Sequence, residues 1–186
     1  RKLTSMEVHD IMCMVGEIVV VGGVRRSALI SLSDLSDNNL RKAKSNLAVD
    51  QYSLVNETDD EWVYTITMKR NQPVDPTYRI VLRKADQEWA RNQLEMTKTI
   101  PWFIVEPQRG LANNSVAYDE RPEAEVFAEE WLSLIKSKSG ERGIFNRDAA
   151  QRQAARYGRR SSSHRYGTNP CSEIILRDKQ FCNLTE

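Results

Sequence analysis

The 186-residue chain is short of several features that assign a protein to a class. No apolar run approaches the roughly 18 residues of a membrane-spanning helix and no signal peptide opens the chain, so we expect no membrane partner. Its 27 basic and 26 acidic residues nearly cancel, so bulk charge does not predict binding to nucleic acid. Three cysteines, an odd number, argue against a secreted disulfide framework and indicate a reducing cytoplasm.

The chain also lacks an initiator methionine at its start and a tail at its end. Arg1 stands where an initiator Met would be, and no tail follows the last cysteine-bearing segment beyond Glu186. We therefore expect the chain to be a fragment of a longer protein. Its length suffices for one domain with a real core or for two small ones, and no internal repeat is visible.

The first 45 residues predict a helix, a glycine-led loop and a buried strand. A stripe of apolar residues at helical spacing predicts a helix over residues 5–21, and it comprises Val8, Ile11, Met12, Val15, Ile18 and Val19. Gly22-Gly23 breaks this helix. A short apolar strand follows over residues 28–32, and Asp37 is expected to cap a helix over residues 38–44.

Residues 46–100 have a different pattern of apolar residues from the first 45. Apolar residues alternate over 62–68 and again over 78–82, with a proline-containing turn between them, which predicts a β-hairpin. A helix is expected over residues 85–96.

The remaining residues predict two helices and a cysteine-bearing loop. Residues 101–118 have the composition of a loop-rich stretch, and a helix over 122–138 is expected to bury Val126, Phe127, Trp131, Leu134 and Ile135. Asn146 is expected to cap a helix over residues 147–157. A mobile, serine-rich loop over 159–166 and short strands over 173–176 and 181–184 complete the prediction.

The most specific motif is Asn169-Pro170-Cys171-Ser172-Glu173, followed eleven positions after Cys171 by Cys182 within Phe181-Cys182-Asn183-Leu184. Residues two apart in an extended segment share a face, so Cys171 and Glu173 could meet one substrate. A thiol beside a carboxylate can form and use a sulfur radical at a sugar, and a nearby second thiol can supply reducing equivalents. The pattern resembles the active-site loop of ribonucleotide reductases, and the spacing of eleven resembles their adenosylcobalamin-dependent class II.

The resemblance implies an α/β fold in which this chain is part of a ten-stranded barrel with a finger loop. It makes Cys171 the thiyl residue, Glu173 the base for the 3′-hydroxyl proton, Asn169 a substrate ligand, and Cys182 one half of a reducing dithiol. It also implies adenosylcobalamin as cofactor, a ribonucleotide substrate, a deoxynucleotide effector and a thioredoxin-type reductant. Whether the substrate is a diphosphate or a triphosphate stays open.

Three further stretches resemble parts of the same family. Gly22, Gly23, Arg25, Arg26 and Ser27 resemble the specificity loop that links effector to substrate base. Asn113, Asn114 and Ser115 are possible substrate contacts. Residues 140–147 are expected to shape the wall of the active site. The resulting organisation is a helix, specificity-type loop and strand over 1–45, an inserted hairpin and helix over 46–100, and barrel helices with the cysteine loop over 101–186.

Other interpretations stay open. Cys171 could be an ordinary buried cysteine, and Cys13, on the apolar face of its helix, is expected to be one. A zinc site from Cys171, Cys182 and His164 lacks the Cys-x-x-Cys pair that would support it, so no metal site is predicted. The basic residues Arg152, Arg156, Arg159, Arg160 and Arg165 fit a solvated face better than an RNA-binding surface. A non-catalytic nucleotide- or RNA-binding module is the alternative function.

Overall fold

The computed structural model describes residues 1–18, 28–68, 77–137, 140 and 142–182. Its helices and strands, in chain order, are α1 (Ser5–Ile18), β1 (Leu29–Ser33), α2 (Asn38–Arg41), β2 (Leu47–Ala48), β3 (Gln51–Glu57), β4 (Glu61–Thr67), β5 (Thr77–Arg83), α3 (Glu88–Thr97), β6 (Thr99–Ile100), α4 (Trp102–Val105), a 3-10 helix (Pro107–Leu111), β7 (Ala112–Tyr118), α5 (Ala124–Ser137), β8 (Arg142–Asn146), α6 (Arg147–Ala155), β9 (Gly167–Thr168) and β10 (Ile175–Leu176). Within this described part, no helix is both long and apolar enough to cross a membrane.

The chain divides into two compact units, one formed by residues 1–43 with 108–186 and the other by residues 44–107. The first unit contains a parallel sheet in the order β1-β7-β8, with Leu29 opposite Ala112 and Asn114 opposite Arg142. The predicted α/β class is therefore confirmed. The described strands do not close into a barrel, so the ten-stranded barrel is not confirmed.

Short-range capping decides where two helices of this unit begin. The Asp37 carboxylate accepts a hydrogen bond from the Leu40 amide at 3.0 Å, and the Asn146 side chain accepts one from the Ala149 amide at 2.9 Å. Each cap satisfies an amide that the first helical turn leaves without a partner. Both predicted caps are confirmed.

The second unit is an antiparallel sheet, β3-β4-β5, with α3 against its core. The predicted hairpin is confirmed, because β4 pairs with β5 from Glu61 opposite Arg83 to Thr67 opposite Thr77. Strand β3 was missed, since its side chains are mostly exposed and it lacks an apolar alternation. The core consists of Val49, Trp62, Tyr64, Ile66, Ile80, Leu82, Ala90, Leu94 and Ile100. That the block is an insertion stays a prediction.

Helix α1 buries residues outside its apolar stripe. The apolar stripe is exposed, with Val8 and Met12 among its members, whereas His9, Cys13 and Gly16 are buried. The stripe therefore predicts the helix but not its buried face, because His9 bonds to strand β7 and fixes the small and polar face against it. Cys13 is fully buried, as predicted.

Helix α5 also leaves much of its apolar stripe exposed. Its buried residue is Glu130, which pairs with Arg41 at 2.8 Å and with Arg142 at 2.6 Å. Phe127, Trp131 and Ile135 are exposed, and Val126 and Leu134 are only partly buried, so the prediction that these five form a core is wrong. The ion pairs of Glu130 fix this orientation, since a buried carboxylate needs a paired cation.

Candidate active site

Cys171 lies at the tip of a short hairpin. Strands β9 and β10 pair antiparallel, with Ile175 opposite Thr168, and residues 169–174 form the turn between them. Asn169-Pro170 begins the turn, and the Ser172 amide donates to the Asn169 carbonyl at 2.9 Å. Ser172 adopts φ +64°, a left-handed conformation that non-glycine residues use at tight turns. The turn leaves the Cys171 side chain exposed.

The turn changes the expected relation between Cys171 and Glu173. We predicted an extended segment in which residues two apart share a face, and strand β10 begins only at Ile175. The extended geometry is wrong, because the hydrogen bonds of Asn169 fold this segment back on itself. Both Cys171 and Glu173 are nevertheless exposed at the tip, so a substrate can reach the thiol and the carboxylate.

Asn169 joins the two cysteine-bearing segments. Its side chain is buried, and its Oδ1 accepts a hydrogen bond from the Ile174 amide at 3.1 Å. Its Nδ2 lies 3.8 Å from the Cys182 sulfur and donates toward it. The amide thus fixes the turn with one atom and faces the second thiol with the other. Its predicted contact with substrate stays a prediction.

Cys182 is partly exposed and follows a second turn. The Arg177 amide donates to the Gln180 side chain at 2.7 Å, and Lys179 adopts φ +60°. Phe181 and Cys182 belong to no strand, so the predicted strand over 181–184 is wrong in its first half, and residues 183–186 lie outside the described ones. This arrangement brings a thiol, a carboxylate and a second thiol onto adjoining turns, which is suited to redox chemistry on a bound molecule.

The base of the hairpin is held by two arginines. Arg147 Nε donates to the Tyr166 carbonyl at 2.8 Å, and Arg160 Nη1 donates to the Ile175 carbonyl at 3.0 Å on the opposite strand. Tyr166 is fully buried, with the Arg160 guanidinium 4.8 Å from its ring centre. The expected mobile loop is therefore tied down in its last residues, and Arg160 is not part of a solvated face.

Carboxylates from two other strands complete this support. Asp34 directly follows β1, Asp119 follows β7, and Arg147 follows β8, so they meet where parallel strands end. Burial works against ionisation of Asp119, but hydrogen bonds from Arg147 and Arg165 outweigh it and hold the pKa of that carboxyl below its usual range. Neither Asp34 nor Asp119 was predicted as a functional residue. The signal that could have found them is their position just after strand ends.

The predicted substrate-contact stretch lies inside the sheet. Asn113, Asn114 and Ser115 belong to β7, the central strand, so the prediction of a loop there is wrong. Asn113 is exposed and Ser115 partly so, whereas Asn114 is buried and its Oδ1 lies 3.1 Å from His9 Nε2. Helix α1 thus provides a partner for the buried Asn114 Oδ1.

A charged cluster surrounds that contact. Asp10 lies 3.2 Å from His9 Nδ1 and accepts two hydrogen bonds from Arg109, at 2.8 and 2.7 Å. Burial opposes protonation of His9, but hydrogen bonds to Asp10, Cys13 and Asn114 raise its pKa to about 9. Next to the cluster lies a mostly apolar cavity of about 450 Å³, lined by residues of α1, β1 and α2.

The glycine- and arginine-containing loop over residues 22–27 lies outside the described residues. Its two flanking elements, α1 and β1, both line the 450 Å³ cavity. The predicted roles of Gly22, Gly23, Arg25, Arg26 and Ser27 stay predictions.

The structure gives no support to the zinc alternative. In the part of the chain that it describes, which includes Cys171, Cys182 and His164, no three His, Cys, Asp or Glu side chains are grouped to hold a metal ion.

Known proteins resemble this chain along its whole length. It is 28% identical over 189 residues to the adenosylcobalamin-dependent ribonucleoside-triphosphate reductase of Lacticaseibacillus paracasei and 26% identical over 192 residues to that of Lactobacillus delbrueckii subsp. bulgaricus. Each match covers 100% of this chain and 17% or 18% of the relative. No family model and no solved structure matches significantly. Over its entire length the chain is similar to one segment of the adenosylcobalamin-dependent ribonucleoside-triphosphate reductases, which confirms the resemblance predicted from its cysteine motifs.

Proposed function

We propose that this chain is the part of a class II ribonucleotide reductase that carries the radical cysteine, and that it acts in reducing ribonucleotides to deoxyribonucleotides. The observation that carries the proposal is the hairpin tip, where the exposed Cys171 and Glu173 adjoin a turn that places Cys182 3.8 Å from Asn169. The similarity to triphosphate reductases supports a triphosphate substrate for the complete enzyme.

Each residue of the tip has one chemical task in this proposal. Cys171, as a thiyl radical, takes the hydrogen atom from C3′ of the ribose and returns it at the end. Glu173 accepts the proton of the 3′-hydroxyl while the 2′-hydroxyl leaves as water. Cys182 and a second thiol outside this chain supply two electrons and two protons and become a disulfide. One ribonucleotide and one dithiol thus give one deoxyribonucleotide, one water and one disulfide.

The exposure of Cys171 is compatible with a cofactor that is bound by the rest of the enzyme. A thiol that gives up its hydrogen atom to such a cofactor must be accessible from outside the hairpin. Adenosylcobalamin, when bound, supplies the initiating radical through its weak cobalt–carbon bond. The hairpin's own contribution is to present the sulfur at a fixed place, and Asn169 contributes by holding the turn closed. A thioredoxin-type protein would regenerate the dithiol.

Two features of the unit formed by residues 1–43 and 108–186 support the proposal that the chain is part of a larger catalytic domain. The sheet β1-β7-β8 has β1 and β8 as its edges among the described strands, which fits a piece of a ten-stranded barrel. Helices α1 and α5 expose apolar faces, which in a complete barrel enzyme would be covered by further chain.

The experiment that tests the function is Cys171→Ser in the complete reductase. We expect turnover to be abolished while nucleotide binding persists, because serine has nearly the same size but its O–H bond is too strong for hydrogen-atom transfer. Cys13→Ser makes the same chemical change at a buried cysteine outside the tip and is expected to keep turnover per folded molecule. Deoxynucleotide formation well above background by Cys171→Ser would refute the assignment.

A second experiment addresses the loop over residues 22–27. We propose that Arg25 and Arg26 govern which base is accepted and leave the chemical steps alone. Alanine at either position is expected to weaken the effector's influence on substrate choice, a coupling typically worth about 1–3 kcal/mol. Turnover of all four substrates with and without deoxynucleotide effectors measures it, and an unchanged effector response would speak against the assignment.

A further inference from the structure

Four charged side chains meet where the parallel sheet ends, and we call Asp34, Asp119, Arg147 and Arg165 the anchor cluster. Arg147 Nη1 donates to Asp119 Oδ1 at 2.7 Å and lies 4.0 Å from Asp34 Oδ1. Arg165 donates to Asp119 Oδ2 at 3.1 Å and also to Asp34. The cluster therefore ties the segment that precedes the hairpin to the carboxyl ends of β1 and β7.

Among the contacts that the structure describes, Arg147 is the one member of the anchor cluster whose side chain donates a hydrogen bond to the backbone of the segment that precedes the hairpin. Its Nε donates at 2.8 Å to the carbonyl of Tyr166, the residue before strand β9. The Arg147 side chain is only 6% exposed, so little water competes for these contacts. Next along the chain, Gly167 packs against β1, where an added Cβ would lie in ordinary contact, 3.4 Å from the Leu32 side chain.

We propose that Arg147 is a positioning residue for Cys171. Asp119 orients its guanidinium, and the guanidinium fixes the Tyr166 carbonyl and with it the base of the hairpin that presents the thiol. The inference rests on the proposed function of Cys171. Arginine suits the task because its planar fork donates from Nε and Nη1 in two fixed directions, whereas a lysine ammonium offers one mobile point.

The position of the thiol matters because hydrogen-atom transfer needs close approach. A displacement of about 1 Å at a reacting group can lower a rate by about 100-fold. Losing the Tyr166 contact would let the hairpin shift without removing any group that touches substrate. The effect should therefore fall on kcat and leave the KM for nucleotide nearly unchanged.

The test uses the complete reductase with Arg147→Lys. We expect kcat to fall by about 10- to 100-fold with an unchanged KM for nucleotide, and iodoacetamide to alkylate Cys171 faster than in the parent enzyme. The matched control is Arg152→Lys, which makes the same change five residues further along α6, where Arg152 pairs at the surface with Asp148 at 2.9 Å. It is expected to leave kcat and the alkylation rate unchanged.

Asp119→Asn is the second variant, since it retains an acceptor for Arg147 but removes the charge that orients it. We expect a smaller fall in kcat in the same direction, and this variant decides the matter if Arg147→Lys does not fold. A folded Arg147→Lys enzyme with normal kcat and normal Cys171 alkylation would overturn the positioning role, even if it melts earlier. An active Cys171→Ser enzyme would instead overturn the proposed function itself.

Discussion

His9 is a buried histidine that connects helix α1 to the central strand of the parallel sheet. Its two ring nitrogens face acceptors on opposite sides, Oδ1 of Asp10 at 3.2 Å and Oδ1 of Asn114 at 3.1 Å. Only the protonated ring can donate to both, which agrees with a pKa raised to about 9 despite burial. Asp10 in turn is held by Arg109, so the cation sits beside an ion pair.

A pH dependence of stability follows from this histidine. Its pKa is about 6.5 in the unfolded chain and about 9 when folded, so its contribution is complete below pH 6.5 and is lost as the pH rises through 9. We expect the free energy of unfolding to fall by on the order of 1–3 kcal/mol between pH 6 and 9.5. His9→Gln should remove most of that slope in urea unfolding.

The control for this prediction is His164→Gln, the same change at an exposed histidine. It should leave the slope as in the parent protein. An equal decline with pH in His9→Gln would show that other groups are responsible.

At the scale of elements, β8 and α6 are joined without a loop. Asn146 is the last residue of β8 and also the N-cap of α6, whose first residue is Arg147. The same junction that ends the strand therefore aims the arginine that holds the hairpin. A strand-to-helix junction this short leaves few ways to orient the first helical side chain.

Replacement of the cap should have a defined cost. Asn146→Ala removes the acceptor for the Ala149 amide, and we expect a loss of about 1 kcal/mol in the free energy of unfolding, measured by urea titration. Asn146→Asp restores an acceptor and adds a negative charge at the helix N-terminus, so it should retain the parent stability. Equal losses in both variants would contradict the capping role.

At the scale of the whole molecule, residues 44–107 form a unit with its own core. Strands β2 and β6 pair antiparallel, with Leu47 opposite Ile100, so the two ends of the block lie close together. The reductase matches cover the entire chain, so they extend through this block as well. The interpretation of the block as a surface insertion implies that other relatives lack it, and this remains a prediction.

Deletion of the block tests that interpretation. Joining Ser45 to Pro101 through a few glycines in the complete enzyme is expected to leave the active site intact, since loop closure costs little and the core of the block is internal to it. The structure suggests a better cut between Ala43 and Gln108, because Ile104 and Val105 pack against the removed core. Deoxynucleotide formation is the measurement, and loss of folding in both deletions would refute the interpretation as a surface insertion.

The sequence by itself determined the features that depend on neighbouring residues. The helix caps at Asp37 and Asn146 and the β4–β5 hairpin each arise from residues within a few positions, or from one alternating pattern. The motif around Cys171 also sufficed to identify the reductases that the chain resembles.

The tertiary structure alone decided which surfaces and charges meet. Periodicity located the apolar stripes of α1 and α5, but hydrogen bonds and ion pairs from distant residues turned His9 and Glu130 inward. His9 and Asn114 are 105 positions apart, and Arg147 and Asp119 are 28 apart. Such partners are chosen by how strands align in the sheet, which local propensity does not encode, and so the support of the cysteine hairpin could be found only in the folded chain.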